Sequence, residues 1–171
     1  MHSYLADLSD SPVAFEILVG LPPHDFATLV EQIRPAADDE RYHRLARESR
    51  RRAPGAGRRP ALGLFDAATA AVLAARFEDR CEVALAYGVG AATLARACRA
   101  LHPILASSPA AHLLAPLAAA ERADRLLRTL PALPDRGWPL RRLAWRSGLV
   151  FGADGVVRRP EAGGGGHPVD D

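Results

Sequence analysis

Residues 83–101 read VALAYGVGAATLARACRAL, an Ala- and Leu-rich helical sequence with Gly88-Val89-Gly90 at its middle. As one continuous helix, the segment would carry two glycines within three residues, at a cost of about 2 kcal/mol relative to alanines. As two helices joined by a turn, it gives every position a use. Gly88 supplies the positive φ that a tight turn needs. Ala84, four residues earlier, is the small residue past which a second helix can cross closely. Val83 and Tyr87 then face a supporting helix, Val89 plugs the turn, and Leu94 and Ala97 anchor the second helix inwards. The segment therefore predicts a helix-turn-helix. Its first helix runs from about Cys81 to Tyr87 and its second from Ala91 to about Leu101, with Pro103 bending or ending it.

Working outward, Asp66 to about Asp79 is the expected support, with Ala70, Leu73, Ala74 and Phe77 at helical spacing. Upstream, VAFEILVG (13–20) is helical until Gly20 stops it. LPPHDFATLVEQIRP (21–35) opens on Pro22 and Pro23, closes at Pro35 and places Phe26, Leu29, Val30 and Ile33 on one face. A separate helix is expected over Asp39–Arg52, acidic where it starts and Arg-rich where it ends, in keeping with the helix dipole. Its few apolar residues, Tyr42, Leu45 and Ala46, make it a solvated or ligand-facing basic helix. RRRAPGAGRRPALGL (50–64), with three Gly and two Pro, reads as a flexible basic arm. Downstream, residues 107–130 are helical with a break near Pro116, and PALPDRGWPLRR (131–142) is loop-like. LVFGADGVV (149–157) is a short hairpin or the start of a strand, and EAGGGGHPVDD (161–171) is expected to be disordered. The expected fold is mainly α: a helical bundle containing a helix-turn-helix, with a basic linker and a partly disordered C-terminal tail. Its divisions are an N-terminal helical segment (1–53), the basic arm (54–64), the helix-turn-helix domain (65–106), an accessory helical region (107–147) and the tail (148–171).

Charge says what such a bundle would meet. All 22 basic residues are Arg, and the net charge is only +2. From Arg41 to Arg59, however, eight Arg face one acid, Glu48, so this stretch carries +7 and the rest of the chain −5. A concentrated basic block in a nearly neutral chain points to a localised anionic partner. Cys81 and Cys98 lie far apart in sequence with no partner cluster, and the six His show no metal-ligand spacing, so neither a metal nor a cofactor is expected. There is no apolar run of about 18 residues and no signal-like start, so the chain is expected to be cytoplasmic, with no membrane partner.

A helix-turn-helix beside a basic arm implies double-stranded DNA. The second helix would enter the major groove with Ala91, Ala92, Thr93, Arg96 and Arg99 facing outward. Arg takes guanine or phosphate and Thr a base edge or thymine methyl, whereas Ala offers only methyl contacts. Base reading is therefore thin, and phosphate contacts are expected to carry more of the affinity. Arg58 and Arg59, next to Gly55 and Gly57, and Arg50, Arg51 and Arg52 are the candidate backbone contacts.

The order of these features, from LPPHDFATLVEQIRP through the Arg-rich stretch to GAGRRPALGLFDAATAAVLAARFEDRCEVALAYGVGAATLARACRALHPIL, resembles the N-terminal helix-turn-helix domain of insertion-sequence DDE transposases over roughly residues 20–106. That family implies binding to the terminal inverted repeats of a mobile element. Carried over, the DNA contacts are Arg58, Arg59, Thr93, Arg96 and Arg99. The family's Gly-Val-Ser is Gly88-Val89-Gly90 here, which removes the serine that would cap the recognition helix. The family's catalytic domain uses three carboxylates and two metal ions. LVFGADGVVRRP offers only Asp154 in an Asp-Gly context, which reads as a common turn. The expectation is a truncated transposase-like DNA-binding protein that is not an enzyme, with a homo-oligomer or a full-length transposase as further partners. A transcriptional regulator or transposase repressor, and a helical protein-interaction module that does not bind DNA, remain as alternatives.

Overall fold

In the computed structural model, residues 8, 11–46, 60–130, 138–151 and 156–160 are described. Seven α-helices occur among them: α1 (Pro12–Val19), α2 (Pro23–Leu45), α3 (Leu64–Arg76), α4 (Arg80–Ala86), α5 (Ala91–Ala106), α6 (Ala119–Thr129) and α7 (Trp138–Arg146). A 3-10 turn covers Ala111–Leu114, and two short strands, β1 (Val150–Phe151) and β2 (Val157–Arg158), pair antiparallel with Val150 opposite Arg158. The protein is mainly α, as its composition predicts.

The helix around which the others gather is α3. Ala67, Ala68, Ala70, Ala71, Val72, Leu73 and Ala74 are all buried, so apolar residues cover most of its circumference, the mark of a core helix. Its small side chains let α1, α2, α4, α5 and the 3-10 turn approach closely. Asp66, in its first turn, accepts a hydrogen bond from the Gly63 N–H, satisfying one of the free donors at the start of the helix. At this end three aromatic rings join three helices. Phe15 of α1 meets Phe26 of α2 edge-on at 5.5 Å and stacks on Phe65 of α3 at 5.7 Å, while Phe26 and Phe65 meet edge-on at 5.4 Å. Such pairs contribute about 0.5–1.5 kcal/mol beyond the area they bury.

Between α4 and α5 the chain turns sharply. Gly88 has φ +63. The Val89 N–H donates to the Ala84 carbonyl at 3.0 Å and the Gly88 N–H to that of Leu85 at 2.9 Å, the paired bonds of a Schellman ending. Val83, Ala84, Tyr87 and Leu94 are buried, with Val89 and Ala97 half-buried against the core. The expected inward set is therefore inward, joined by Cys98, Leu101 and Leu105 of α5. A second Schellman ending closes α7, where Gly148 has φ +83 and the Leu149 N–H donates to the Ala144 carbonyl at 3.1 Å.

Three expected boundaries differ. Pro35 does not close a helix, and no separate helix begins at Asp39: α2 runs unbroken for 23 residues, about 35 Å. Pro103 likewise lies inside α5. A proline forfeits one backbone bond and crowds the carbonyl four residues earlier. Both prolines and the residues bearing those carbonyls, Glu31 and Arg99, are on exposed faces, where water satisfies the freed groups. The third difference is WPLRR, expected as loop, which opens α7. Pro139 is the second residue of that helix, a position whose N–H has no helical partner in any case.

The accessory elements are tied to the core by ion pairs. Asp79 caps α4 by accepting a hydrogen bond from the Glu82 N–H at 3.1 Å. Glu82 is itself buried, and its Oε1 meets Arg142 of α7 at 3.1 Å and Arg146 at 3.9 Å, while Arg146 also meets Asp79 at 3.0 Å. On the other side Arg122 pairs with Glu78 at 2.6 Å, and Arg125 pairs with Glu121 and donates to the Ile17 carbonyl at the end of α1.

Candidate functional site

Most of the described arginines near α5, α6 and α7 fall into two groups, with Arg76, buried in α3, and Arg141, over the Phe151 ring, in neither. On α6, α7 and the hairpin, Arg122, Arg125, Arg128, Arg142, Arg146 and Arg159 face carboxylates. Around α5 the pattern reverses: Arg80, Arg96 and Arg99 are exposed, and no ion pair among the described residues includes any of them. These three border one depression on the outer surface of α5, floored by Ala92 and Ala95. Arg80 was not singled out by sequence reasoning. It is the first residue of α4, and only the turn brings it beside α5.

The start of α5 is also electropositive. Its first turn holds no acid, and Gly90 supplies no side-chain cap, so backbone N–H groups at the positive end of a 16-residue helix remain available. Arg96 lies back along its own helix. Its Nε donates to the Ala92 carbonyl at 3.1 Å and its Nη2 to Thr93 Oγ1 at 3.4 Å, which holds the arginine and threonine as a unit. Ala91, Ala92, Arg96 and Arg99 are exposed as expected, while Thr93 is half-buried.

Thr93 faces a groove on the next side of α5, with Arg96 on the ridge between the two surfaces. This groove has a volume of about 830 Å3 and runs between α5 and the C-terminal half of α2, which contributes Asp38, Arg41 and Arg44. The chain between Ala46 and Pro60 holds Arg50, Arg51, Arg52, Arg58 and Arg59, which lie outside the described residues. Arg44 and Pro60, before and after that stretch in the sequence, both line this groove.

Beneath these surfaces burial disfavours the charged forms of two supporting groups. Tyr87 is raised above its ordinary value chiefly by burial and further by the Asp66 carboxylate, with the Thr69 hydroxyl opposing. Burial likewise raises Cys98, with Arg80 opposing. Both cysteines are free thiols, Cys81 exposed and Cys98 buried. No cluster of three or more His, Cys, Asp or Glu among the described residues is placed to hold a metal ion. Asp154 lies outside the described residues, between β1 and β2. No single helix among the described residues is long and apolar enough to cross a membrane. Compared with family models, curated proteins and solved structures, the chain gave no match.

Proposed function

We propose that this protein binds double-stranded DNA, with the N-terminal half of α5 entering the major groove. The observation that carries the reading is the arginine partition. Where α6 and α7 brace the fold, arginines are neutralised by carboxylates, and where α4 and α5 meet solvent, Arg80, Arg96 and Arg99 are left for an outside anion. In this reading Arg96 and Arg99 reach guanine edges or phosphates, and Thr93, half-buried beside the neighbouring groove, holds Arg96 in place for them. Arg80 at the foot of α4, with Arg50, Arg51, Arg52, Arg58 and Arg59, neutralises phosphates. Alanines at 91, 92 and 95 limit base discrimination, so backbone contacts dominate the affinity. The resemblance to transposase DNA-binding domains makes terminal inverted repeats the first targets to try. The proposal includes no strand-transfer chemistry.

The test is fluorescence anisotropy of a labelled duplex across a salt series, with Arg96→Ala/Arg99→Ala and Arg58→Ala/Arg59→Ala proteins in parallel. Binding should be roughly micromolar or tighter at low salt and weaken as salt rises. Both variants should bind more weakly. Absence of binding at low salt would remove the DNA reading. It would favour a helical protein-interaction module, for which Trp145, 69 % exposed on α7, and Leu85, 48 % exposed on α4, are among the apolar contacts available.

A further inference from the structure

The C-terminal half of α2 has no evident role in holding the fold together. Among its residues whose burial is described, the last one packed on the core is Ala37, and residues 38–44 are all exposed. A helix that is polar all round and buries nothing is ordinarily laced by its own ion pairs. Asp38 and Arg41 are three apart and Glu40 and Arg44 four apart, with the acid first, the favourable order. Neither pair forms, although Glu31 and Arg34, earlier on the same helix, meet at 2.5 Å. Arg41 and Arg44 line the groove against α5 instead.

We propose that this groove seats one sugar–phosphate strand of the duplex, with Arg41 and Arg44 of α2 on one wall and Arg96 of α5 on the other. The inference rests on the duplex reading and extends it to residues outside α5. A helix lying in the major groove has a phosphate strand on either side, and the groove adjoins the reading surface along the ridge at Arg96. Three guanidinium groups against the single carboxylate of Asp38 leave its walls cationic. Leu62, Val89 and Leu101 line it together with Thr93, whose hydroxyl can add a hydrogen bond to a phosphate. Arginine suits this role because its fork grips phosphate oxygens two at a time.

The test is the slope of log affinity against log salt for the full chain on a labelled 20-base-pair duplex. Arg41→Ala/Arg44→Ala should lower the slope by about 1.8, the loss of two phosphate contacts. Arg41→Lys/Arg44→Lys should keep the slope while weakening binding, since charge remains but the fork is lost. Arg128→Ala, which removes an exposed arginine facing Asp124 on α6, should leave the slope at the wild-type value. Circular dichroism should show the same helix content in all four proteins. If the wild type binds and Arg41→Ala/Arg44→Ala keeps its slope, or loses no more than Arg128→Ala does, this inference is overturned and the α5 reading stands. If the wild type binds no duplex, both fall together.

Discussion

Changing Gly88 and Gly90 separately to alanine tests the turn on which the fold depends, because two folded arrangements predict opposite signs. In the structure Gly88 has φ +63, in the left-handed region, where a Cβ costs roughly 1–2 kcal/mol. Alanine also reduces the freedom of the unfolded chain, which offsets about 0.4–1 kcal/mol. Gly88→Ala should therefore destabilise by about 1 kcal/mol, a fall in Tm of about 2–4 °C for a chain of this size. Gly90 is different: its φ of −71 and ψ of 147 suit any residue, and an added Cβ would meet no atom within 4 Å. The entropic gain there is largely cancelled because alanine caps a helix less well than glycine. Gly90→Ala should lie within about 0.5 kcal/mol of wild type. Were 83–101 one helix, each substitution would instead stabilise by about 1 kcal/mol. Urea and thermal melts of the two variants decide the matter. A raised Tm for Gly88→Ala would refute the turn and the placement of α5 that follows from it.

Phe26→Ala should cost about 3–5 kcal/mol in urea unfolding, because it removes one ring of a three-ring cluster from a core otherwise rich in alanine; a loss below about 1 kcal/mol would mean the cluster does not hold α1, α2 and α3 together. Burial holds the Asp66 carboxyl above its ordinary 3.8, with the Gly63 N–H opposing. Just above that value the native state keeps a proton that the unfolded chain has released, so this residue's contribution to stability falls as pH rises through the folded value. Asp66→Asn should then gain Tm relative to wild type as pH rises above about 4, and a gap independent of pH would argue against the desolvation. With a thiol reagent at neutral pH, Cys81 should react quickly and Cys98, buried and raised by burial, slowly. Cys81→Ser should remove the fast phase alone, and equal rates for the two thiols would contradict the packing of α5.

Much of the bundle was legible because local chemistry and tertiary role coincide. Gly88 had to be a turn residue, since its neighbours are helix formers on both sides and only the left-handed conformation gives its glycine a use. The apolar spacing of Phe26, Leu29, Val30 and Ile33 marked the buried face of α2, and the same residues are buried. The prolines misled because the effect of a proline depends on what surrounds it. At Pro35 and Pro103 water takes up the freed carbonyls, and at Pro139 no bond was available to lose. Reading Pro35 as a stop hid the groove, since Arg41 and Arg44 reach α5 only if α2 continues past it. Arg80 was hidden for a related reason, being brought to α5 by the turn rather than by sequence spacing. One signal was available and passed over: Asp79-Arg80-Cys81-Glu82 has the spacing of a helix-capping pair, and it marks the start of α4.

The Glu82 pairing bears on how this molecule can be divided. A fragment chosen to isolate α3, the turn and α5 would end near residue 106, and with it would go Arg142 and Arg146, the cations that neutralise a carboxylate buried in α4. One oxygen of that carboxylate already has no hydrogen-bond partner, and the face of α4 on which α7 packs would be uncovered along with it. The cut would fall on α4, the helix that positions the turn, so a weak or aggregating fragment would reveal little about DNA. The smallest piece fit for binding measurements therefore extends through α7 to Leu149, whose side chain is buried in the core. Glu82→Gln is the companion change for anyone attempting a shorter piece, because it removes the charge along with the need for its distant partners.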